Sequence, residues 1–211
     1  MGATGAGKST LARLLNRAYD VQRGSVRVDG VDVRAWPLER LRRHVGIVFQ
    51  DTTLFTGTIA ENLAVDGAGA AQGPALARAL AAANAAALVS ALPRGLDEPL
   101  VERGANLSHG QRQLLAVARA LVYNPEILVL DEATSSVDAE SEALMREAMA
   151  GLLAGRTSLT IAHRLATVQH ADRILVLHGG RVREQGSHAT LLRAGGLYAR
   201  LWELQSGSSA G

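Results

Sequence analysis

Lysine occurs once in this chain, at position 8, within a glycine-rich segment. The segment matches the pattern G-x-x-x-x-G-K-[ST] and consists of Gly2, Ala3, Thr4, Gly5, Ala6, Gly7, Lys8, Ser9 and Thr10. Its glycines let successive backbone N–H groups point at phosphate oxygens, and the helix that follows adds the positive end of its dipole. In such a loop Lys8 can reach the β- and γ-phosphates, and the Ser9 hydroxyl can bind Mg²⁺. We therefore predict a nucleotide phosphate site at residues 2–10.

Two adjacent carboxylates, Asp131 and Glu132, follow the apolar run Ile127-Leu-Val-Leu130. A short, fully apolar run of this kind is typical of a central strand in a parallel sheet. Asp131 at its end can hold Mg²⁺ directly or through water. Glu132, one position further, can orient or deprotonate an attacking water molecule. Next to the phosphate site predicted at residues 2–10, such a pair is suited to phosphoryl transfer to water, which depends mainly on positioning and charge stabilisation.

Composition narrows the class of protein. The 211 residues contain no cysteine, which excludes disulfides, Cys-ligated zinc and thiol catalysis. A net charge of +2, without a cluster of five or six basic residues, gives no support for nucleic acid binding. No apolar run approaches the ~20 residues of a membrane span, so we expect a soluble domain or the soluble part of a larger protein. The histidines lack metal-ligand spacing, and the absence of G-x-S-x-G argues against a serine hydrolase.

The predicted elements alternate between helix and strand, which indicates an α/β fold with a parallel sheet. We predict helices at Lys8–Ala18, Pro37–Arg43, Pro74–Leu92, Ser108–Val122 and Ala139–Leu153, and a terminal helical region. Strands are predicted at Ser25–Val28, Gly46–Phe49, Glu126–Leu130, Thr157–Ile161 and Arg173–Leu177. Hairpin turns are predicted at Asp29-Gly30 and Gly179-Gly180, and a disordered tail at 206–211.

Further segments resemble the motifs of ATP-binding cassette (ABC) proteins, in the order found in that family. Leu107-Ser-His-Gly-Gln111 resembles the signature motif, and Ile127 to Thr134 resembles the Walker B strand with its catalytic glutamate. The remaining matches are Gln50 to the Q-loop, Asp138 to the D-loop and His163 to the switch histidine. The resemblance covers nearly the whole chain. It implies a P-loop NTPase fold with a RecA-like core at 1–50 and 123–205 and an inserted helical subdomain at about 51–122.

The resemblance also implies roles for these residues. Glu132 would act as general base, His163 would contact the γ-phosphate and hold Glu132, and Gln50 would contact Mg²⁺ and the attacking water. Two such domains would sandwich two ATP molecules and open after hydrolysis. The residues facing the ATP held by the opposite subunit would be Ser108, His109, Gly110, Gln111 and Asp138.

Two segments resemble ABC exporters in particular. They are the region after Gln50, through Leu63, and Glu102-Arg-Gly104, which is similar to the loop that meets the coupling helices of the membrane domain. The resemblance therefore implies a membrane domain fused upstream and a location at the cytoplasmic face of the plasma (inner) membrane. A phosphate-binding loop normally follows a buried strand, whereas Met1 stands where that strand would end. We therefore expect either a fragment lacking its first strands or a different start, and no residue here can be assigned to stack on adenine.

His109 departs from the family pattern by replacing the first glycine of the signature pair. A side chain there would crowd the opposite ATP, while Glu132 and His163 are intact. We therefore expect a heterodimer whose partner has a good signature and a poor Walker B motif. Two alternatives remain. A soluble ABC ATPase acting on DNA or ribosomes would need a coiled-coil insertion, a basic arm or a second cassette, and a truncated regulatory fragment would bind ATP without turnover.

Overall fold

The structure is a computed structural model that describes residues 1–3, 5–48, 53–64, 73–131, 153, 155–162 and 168–207. Within these ranges the helices are α1 (Lys8–Leu15), α2 (Leu38–His44), α3 (Ile59–Leu63), α4 (Pro74–Ala82), α5 (Ala86–Ala91), α6 (His109–Leu121), α7 (His188–Arg193) and α8 (Leu197–Gly207). The strands are β1 (Arg27–Val28), β2 (Val31–Asp32), β3 (Val45–Val48), β4 (Gly57–Thr58), β5 (Pro99–Leu100), β6 (Ile127–Asp131), β7 (Thr157–Ile161), β8 (Ile174–His178) and β9 (Arg181–Gly186). Short 3₁₀ helices span Val33–Ala35, Gly95–Asp97 and Glu102–Gly104.

A parallel sheet of order β3-β6-β7 lies at the centre of the described chain. Val48 pairs with Leu130, and Asp131 pairs with Ile161. Strand β6 is flanked on both sides, and Leu128, Val129 and Leu130 are at most 5% exposed, as the continuous apolar run predicts. The parallel sheet expected from the sequence is thus confirmed, and Asp131 lies at the carboxyl end of its central strand.

A second sheet is the antiparallel hairpin β8–β9, which turns at Gly179 and Gly180. The amino end of the chain lies along β8. The Met1 nitrogen donates to the Leu175 carbonyl oxygen at 2.8 Å, the Leu177 N–H donates to the Met1 carbonyl oxygen at 2.8 Å, and Gly2 forms a parallel bridge with Leu177. A Cβ atom on Gly2 would clash with the Leu177 carbonyl oxygen, so this approach requires glycine. Strand β8 therefore fixes the start of the predicted phosphate loop.

A cavity of about 500 Å³ faces both β7 and β8. Its lining includes residues 158–161 of β7, Ile174, Leu175 and Leu177 of β8, and the side chains of Lys8 and Leu11. In the part of the chain that the structure describes, β7 is the outer strand of its sheet and pairs only with β6. The cavity thus separates the two sheets along the edge of β7.

One predicted helix ends earlier than expected and another is divided in two. In both cases the reason is a residue whose backbone has the left-handed conformation. Helix α1 ends at Leu15 instead of Ala18 because Arg17 has φ 53°. The predicted helix Pro74–Leu92 is divided into α4 and α5 because Asn84 has φ 52°. Asparagine adopts the left-handed conformation more readily than most residues, and this conformation interrupts the hydrogen bonds of the helix. Periodicity and propensity alone did not reveal either break.

At the C-terminus, α8 continues through Ser206 and Gly207, which the sequence analysis assigned to the tail. The Ser206 hydroxyl donates to the Trp202 carbonyl oxygen at 2.7 Å, which supports this last turn. The rest of the predicted tail and the predicted helix Ala139–Leu153, apart from Leu153 itself, lie outside the described residues. None of the helices in the described ranges has the length and apolar composition needed to cross a membrane.

Candidate phosphate-binding site

The glycine-rich loop leads directly into α1. Gly5 and Gly7 have φ values of 79° and 95°, a conformation that residues with a Cβ atom seldom adopt. Gly7 occupies the position before the first turn of α1, and no side chain caps this end of the helix. The first N–H groups of a helix have no partner within it, so an uncapped start suits an anion.

The Lys8 ammonium is folded into the loop. Its Nζ atom donates to the carbonyl oxygens of Gly2 at 2.7 Å and Ala3 at 3.0 Å, and the residue is 6% exposed. The Ala6 N–H also donates to the Ala3 carbonyl oxygen at 3.1 Å, which closes the loop. The one lysine of the chain is therefore positioned where the backbone curls, as the sequence pattern predicts.

Asp131 is a buried carboxylate at the carboxyl end of β6. It is 7% exposed at the end of β6, and α1 packs against β6 through Ala12 and Val129. Lys8 and Asp131 carry opposite charges and lie on adjoining elements, and both are shielded from solvent.

The residues present fit a magnesium ion. Asp131 offers a carboxylate and Ser9 a half-buried hydroxyl, both hard oxygen donors. Magnesium commonly takes only one or two protein ligands and keeps several waters or phosphate oxygens. The described ranges contain no group of three or more His, Cys, Asp or Glu side chains arranged to hold a metal.

A second helix start, that of α6, carries the signature-like segment. Ser108 caps it: the Gln111 N–H donates to the Ser108 hydroxyl at 3.2 Å, and the Ser108 N–H donates to the Gln111 side-chain oxygen at 2.8 Å. This reciprocal capping box confirms the predicted helix start. Gly110 is buried, whereas the Ser108 side chain is exposed. The capping box uses the N–H groups of Ser108 and Gln111, so the first N–H groups of this 13-residue helix, at His109 and Gly110, are the ones that could still meet an anion.

His109 is half-buried beside this cap. Its Nε2 atom is shielded from solvent and has no hydrogen-bond partner among the described residues. The tip of the imidazole is thus turned away from water. Next along the helix, the Arg112 guanidinium donates to the Leu107 carbonyl oxygen at 2.6 Å, which holds the segment before the cap against α6.

Comparison with protein-family models matches residues 1–135 to the family described as ABC transporter. The chain belongs to the ABC transporter family. The match contains the phosphate loop, the signature-like helix start and Asp131, so the family assignment rests on the same residues as the geometry.

Curated members of the ABC transporter family cover almost the whole chain. The chain is 48% identical over 205 residues to an ATP-dependent lipid A-core flippase of Aromatoleum aromaticum, covering 97% of the chain and 34% of that protein. It is 47% identical over 209 residues to the cyclolysin secretion/processing ATP-binding protein CyaB of Bordetella pertussis, covering 99% of the chain and 29% of that protein. It is also 44% identical over 207 residues to a probable multidrug resistance ABC transporter ATP-binding/permease protein of Bacillus subtilis, covering 98% of the chain and 31% of that protein. The chain thus spans about a third of the length of these relatives.

A solved ABC transporter structure has the same fold. The structure of a bacterial Atm1-family ABC exporter with ATP bound superposes with a TM-score of 0.89 and 45% identity, covering all of this chain and 36% of the other. The ABC ATPase fold expected from the sequence is therefore confirmed.

The structure places only part of the predicted ABC site. The described site residues are Gly2, Ala3, Gly5, Ala6, Gly7, Lys8, Ser9, Thr10, Ser108, His109, Gly110, Gln111 and Asp131. Thr4, Gln50, Glu132, Asp138 and His163 lie outside the described residues, so their roles stay predictions. No predicted motif includes Arg119, whose guanidinium donates to the carbonyl oxygens of Thr53 and Asn62. Its position between Ala118 and Ala120, in an apolar stretch of helix, was the signal that could have identified it.

Proposed function

We propose that this chain is the nucleotide-binding domain of an ABC exporter, which binds ATP with Mg²⁺ and hydrolyses it. The observation that carries the proposal is the joint placement of Lys8 inside the loop, an uncapped start of α1, and buried Asp131 on the strand that α1 packs against. These groups suit a triphosphate with its cation. The high identity to transporter ATP-binding proteins supports the same reaction.

In the proposed reaction each group of residues has its own role. Residues 2–10, including Thr4, would hold the phosphates, while Ser9, Gln50 and Asp131 would hold Mg²⁺, which neutralises phosphate charge when bound. Glu132 follows Asp131 directly and would take up the proton of the attacking water. His163 would hold Glu132 and contact the γ-phosphate. In this scheme residues 1–50 and 123–205 form the catalytic core, and residues 51–122 form the helical subdomain.

The exposed Ser108 end of α6 would bind the ATP of a second nucleotide-binding domain, together with His109, Gly110, Gln111 and Asp138. Closure of the two domains on ATP would drive membrane helices that contact Glu102–Gly104. We place this assembly at the cytoplasmic face of the plasma (inner) membrane, as the exporter relatives suggest. A heterodimer is favoured because His109 alters the signature while the chain's own catalytic residues match the family pattern.

Radiolabelled ATP separates hydrolysis from simple binding. In the protein that contains this chain, we expect Mg²⁺-dependent binding of ATP followed by release of labelled phosphate. Stable binding without phosphate release would favour a regulatory role instead. Failure to bind ATP at all would reject both.

A further inference from the structure

Arg119 connects α6 to the chain segment that follows Gln50. Its Nη1 atom donates to the Thr53 carbonyl oxygen at 2.9 Å, and its Nε atom donates to the Asn62 carbonyl oxygen at 2.8 Å. Its Nη2 atom donates to the side-chain oxygen of Asn62 at 3.1 Å. One guanidinium therefore holds two points of the segment 53–62, which are far from it in sequence.

Asn62 extends this connection along the segment. It is 2% exposed, and its side-chain oxygen accepts from the Phe55 N–H at 2.7 Å. Its side-chain nitrogen donates to the carbonyl oxygens of Phe55 at 2.8 Å and Thr58 at 3.0 Å. The Asn62 amide thus fixes the backbone between Phe55 and Thr58, and Arg119 fixes the Asn62 amide. We call Arg119, Asn62 and the segment 53–58 the arginine clamp.

The chemistry of the clamp requires arginine. The Arg119 Cζ atom lies 5.6 Å from the centre of the Phe55 ring, and burial lowers the pKa of its guanidinium. A partly buried cation is tolerated when its donors are satisfied, and here three donations in one plane meet that need. A lysine ammonium keeps the charge but lacks the planar fork that reaches Thr53 and Asn62 together.

The clamp joins two segments that carry predicted site residues in the sequence. Thr53 follows Gln50 by three positions along the chain, and Gln50 itself lies outside the described residues. At the other end of α6, Ser108 lies roughly 16 Å from Arg119 at the ordinary rise of a helix. We propose that Arg119 is a positioning residue that makes the segment after Gln50 move together with the signature helix. A change at one ATP site would then shift the contact with the other.

The inference rests on the proposed ATPase function and is tested in the protein that contains this chain. The variants are Arg119→Lys and Arg119→Gln, with Arg78→Gln, an exposed arginine on α4, as the matched control. In both Arg119 variants we expect the KM for ATP to stay within about twofold of the value for the unmodified protein, and kcat to fall about tenfold or more. Arg119 does not touch the substrate in the proposal, so its loss would misplace the segment 53–58 and slow turnover without weakening substrate binding. Hydrogen exchange of the Phe55 amide should become about tenfold faster, while the amides of β6 and α6 remain protected.

Unchanged exchange at Phe55 or unchanged kcat in both Arg119 variants would overturn the inference. Loss of protection throughout α6 and β6 in both variants would also overturn it, because Arg119 would then merely stabilise the fold. If the unmodified protein releases no phosphate, the proposed function fails, and the exchange of Phe55 shows separately whether the clamp exists.

Discussion

The Nζ atom of Lys8 lies 2.7 Å from the carbonyl oxygen of Gly2, six positions earlier in the same loop. The cation of the loop thus binds the loop's own backbone. A phosphate that enters would exchange neutral carbonyl partners for charged oxygens, which form stronger hydrogen bonds. Lys8 is therefore preorganised at the point where the anion would bind.

Replacing Lys8 with alanine should weaken ATP binding roughly tenfold to hundredfold, because a hydrogen bond with charged partners contributes about 1.5–3 kcal/mol. Arg13→Ala is the matched control, since Arg13 is an exposed cation on the same helix. Equilibrium binding of a fluorescent ATP analogue measures the affinity of each variant. Equal affinity in the two variants would remove Lys8 from the phosphate site.

Glu132→Gln should preserve ATP binding and reduce phosphate release to background, because glutamine is nearly isosteric but cannot accept a proton. Glu126→Gln provides a control at the opposite end of β6, where the carboxylate side chain is 78% exposed. Single-turnover phosphate release with saturating ATP is the measurement. Undiminished turnover in Glu132→Gln would exclude its role as general base.

His109→Gly should strengthen ATP-dependent association of two nucleotide-binding domains by about threefold to tenfold, a change on the order of 1 kcal/mol. The sequence predicts that the imidazole crowds a phosphate at the start of α6, although its Nε2 atom is shielded from solvent in this structure. Glycine also weakens a helix, so His109→Ala serves as the second variant. Light scattering in the Glu132→Gln background measures association. A homodimer with two equally active sites in the unmodified protein would contradict the heterodimer.

The cavity beside β7 predicts marginal stability for these 211 residues expressed alone. A short extended segment of β-branched residues fused before Met1 would continue the pairing that Met1 makes with Leu175, and should fill the cavity. We expect a higher unfolding temperature and a more cooperative transition by circular dichroism. A glycine-serine extension of equal length is the control. A soluble, fully cooperative transition of the unextended chain would refute this prediction.

Asp32 should titrate well below an ordinary aspartate. Its side chain accepts from the Arg34 side chain and from the Arg34 N–H, which lowers the pKa to about 2. The folded value lies below the unfolded one, so the stabilisation is present above about pH 4 and is lost as the pH falls through about 2. Carboxyl carbon NMR measures the titration. Arg34→Gln should raise the pKa of Asp32 only part of the way toward 3.8, because the backbone N–H at position 34 still donates to the carboxylate. An unaltered value in that variant would assign the shift to another group.

Local patterns predicted the parts of the site that depend on neighbours in sequence. The loop around Lys8, the strand ending at Asp131 and the cap at Ser108 each follow from spacing within about ten residues, and the structure has them where the sequence predicts them. The arginine clamp could not be predicted this way, because the acceptors of Arg119 lie 57 and 66 positions away. The left-handed conformation of Asn84 was likewise not predicted, because helix propensity does not say where a helix is interrupted.

The contact between Met1 and Leu175 joins positions 174 residues apart, and it bears on how a nascent chain acquires its activity. Translation produces the loop around Lys8 long before β8, so the contacts of Met1 and Gly2 with β8 cannot form until β8 has left the ribosome. Closing so large a loop of chain is entropically costly and slow compared with local helix formation. Competence to hold a nucleotide therefore emerges late in biosynthesis, after the central strand has been made.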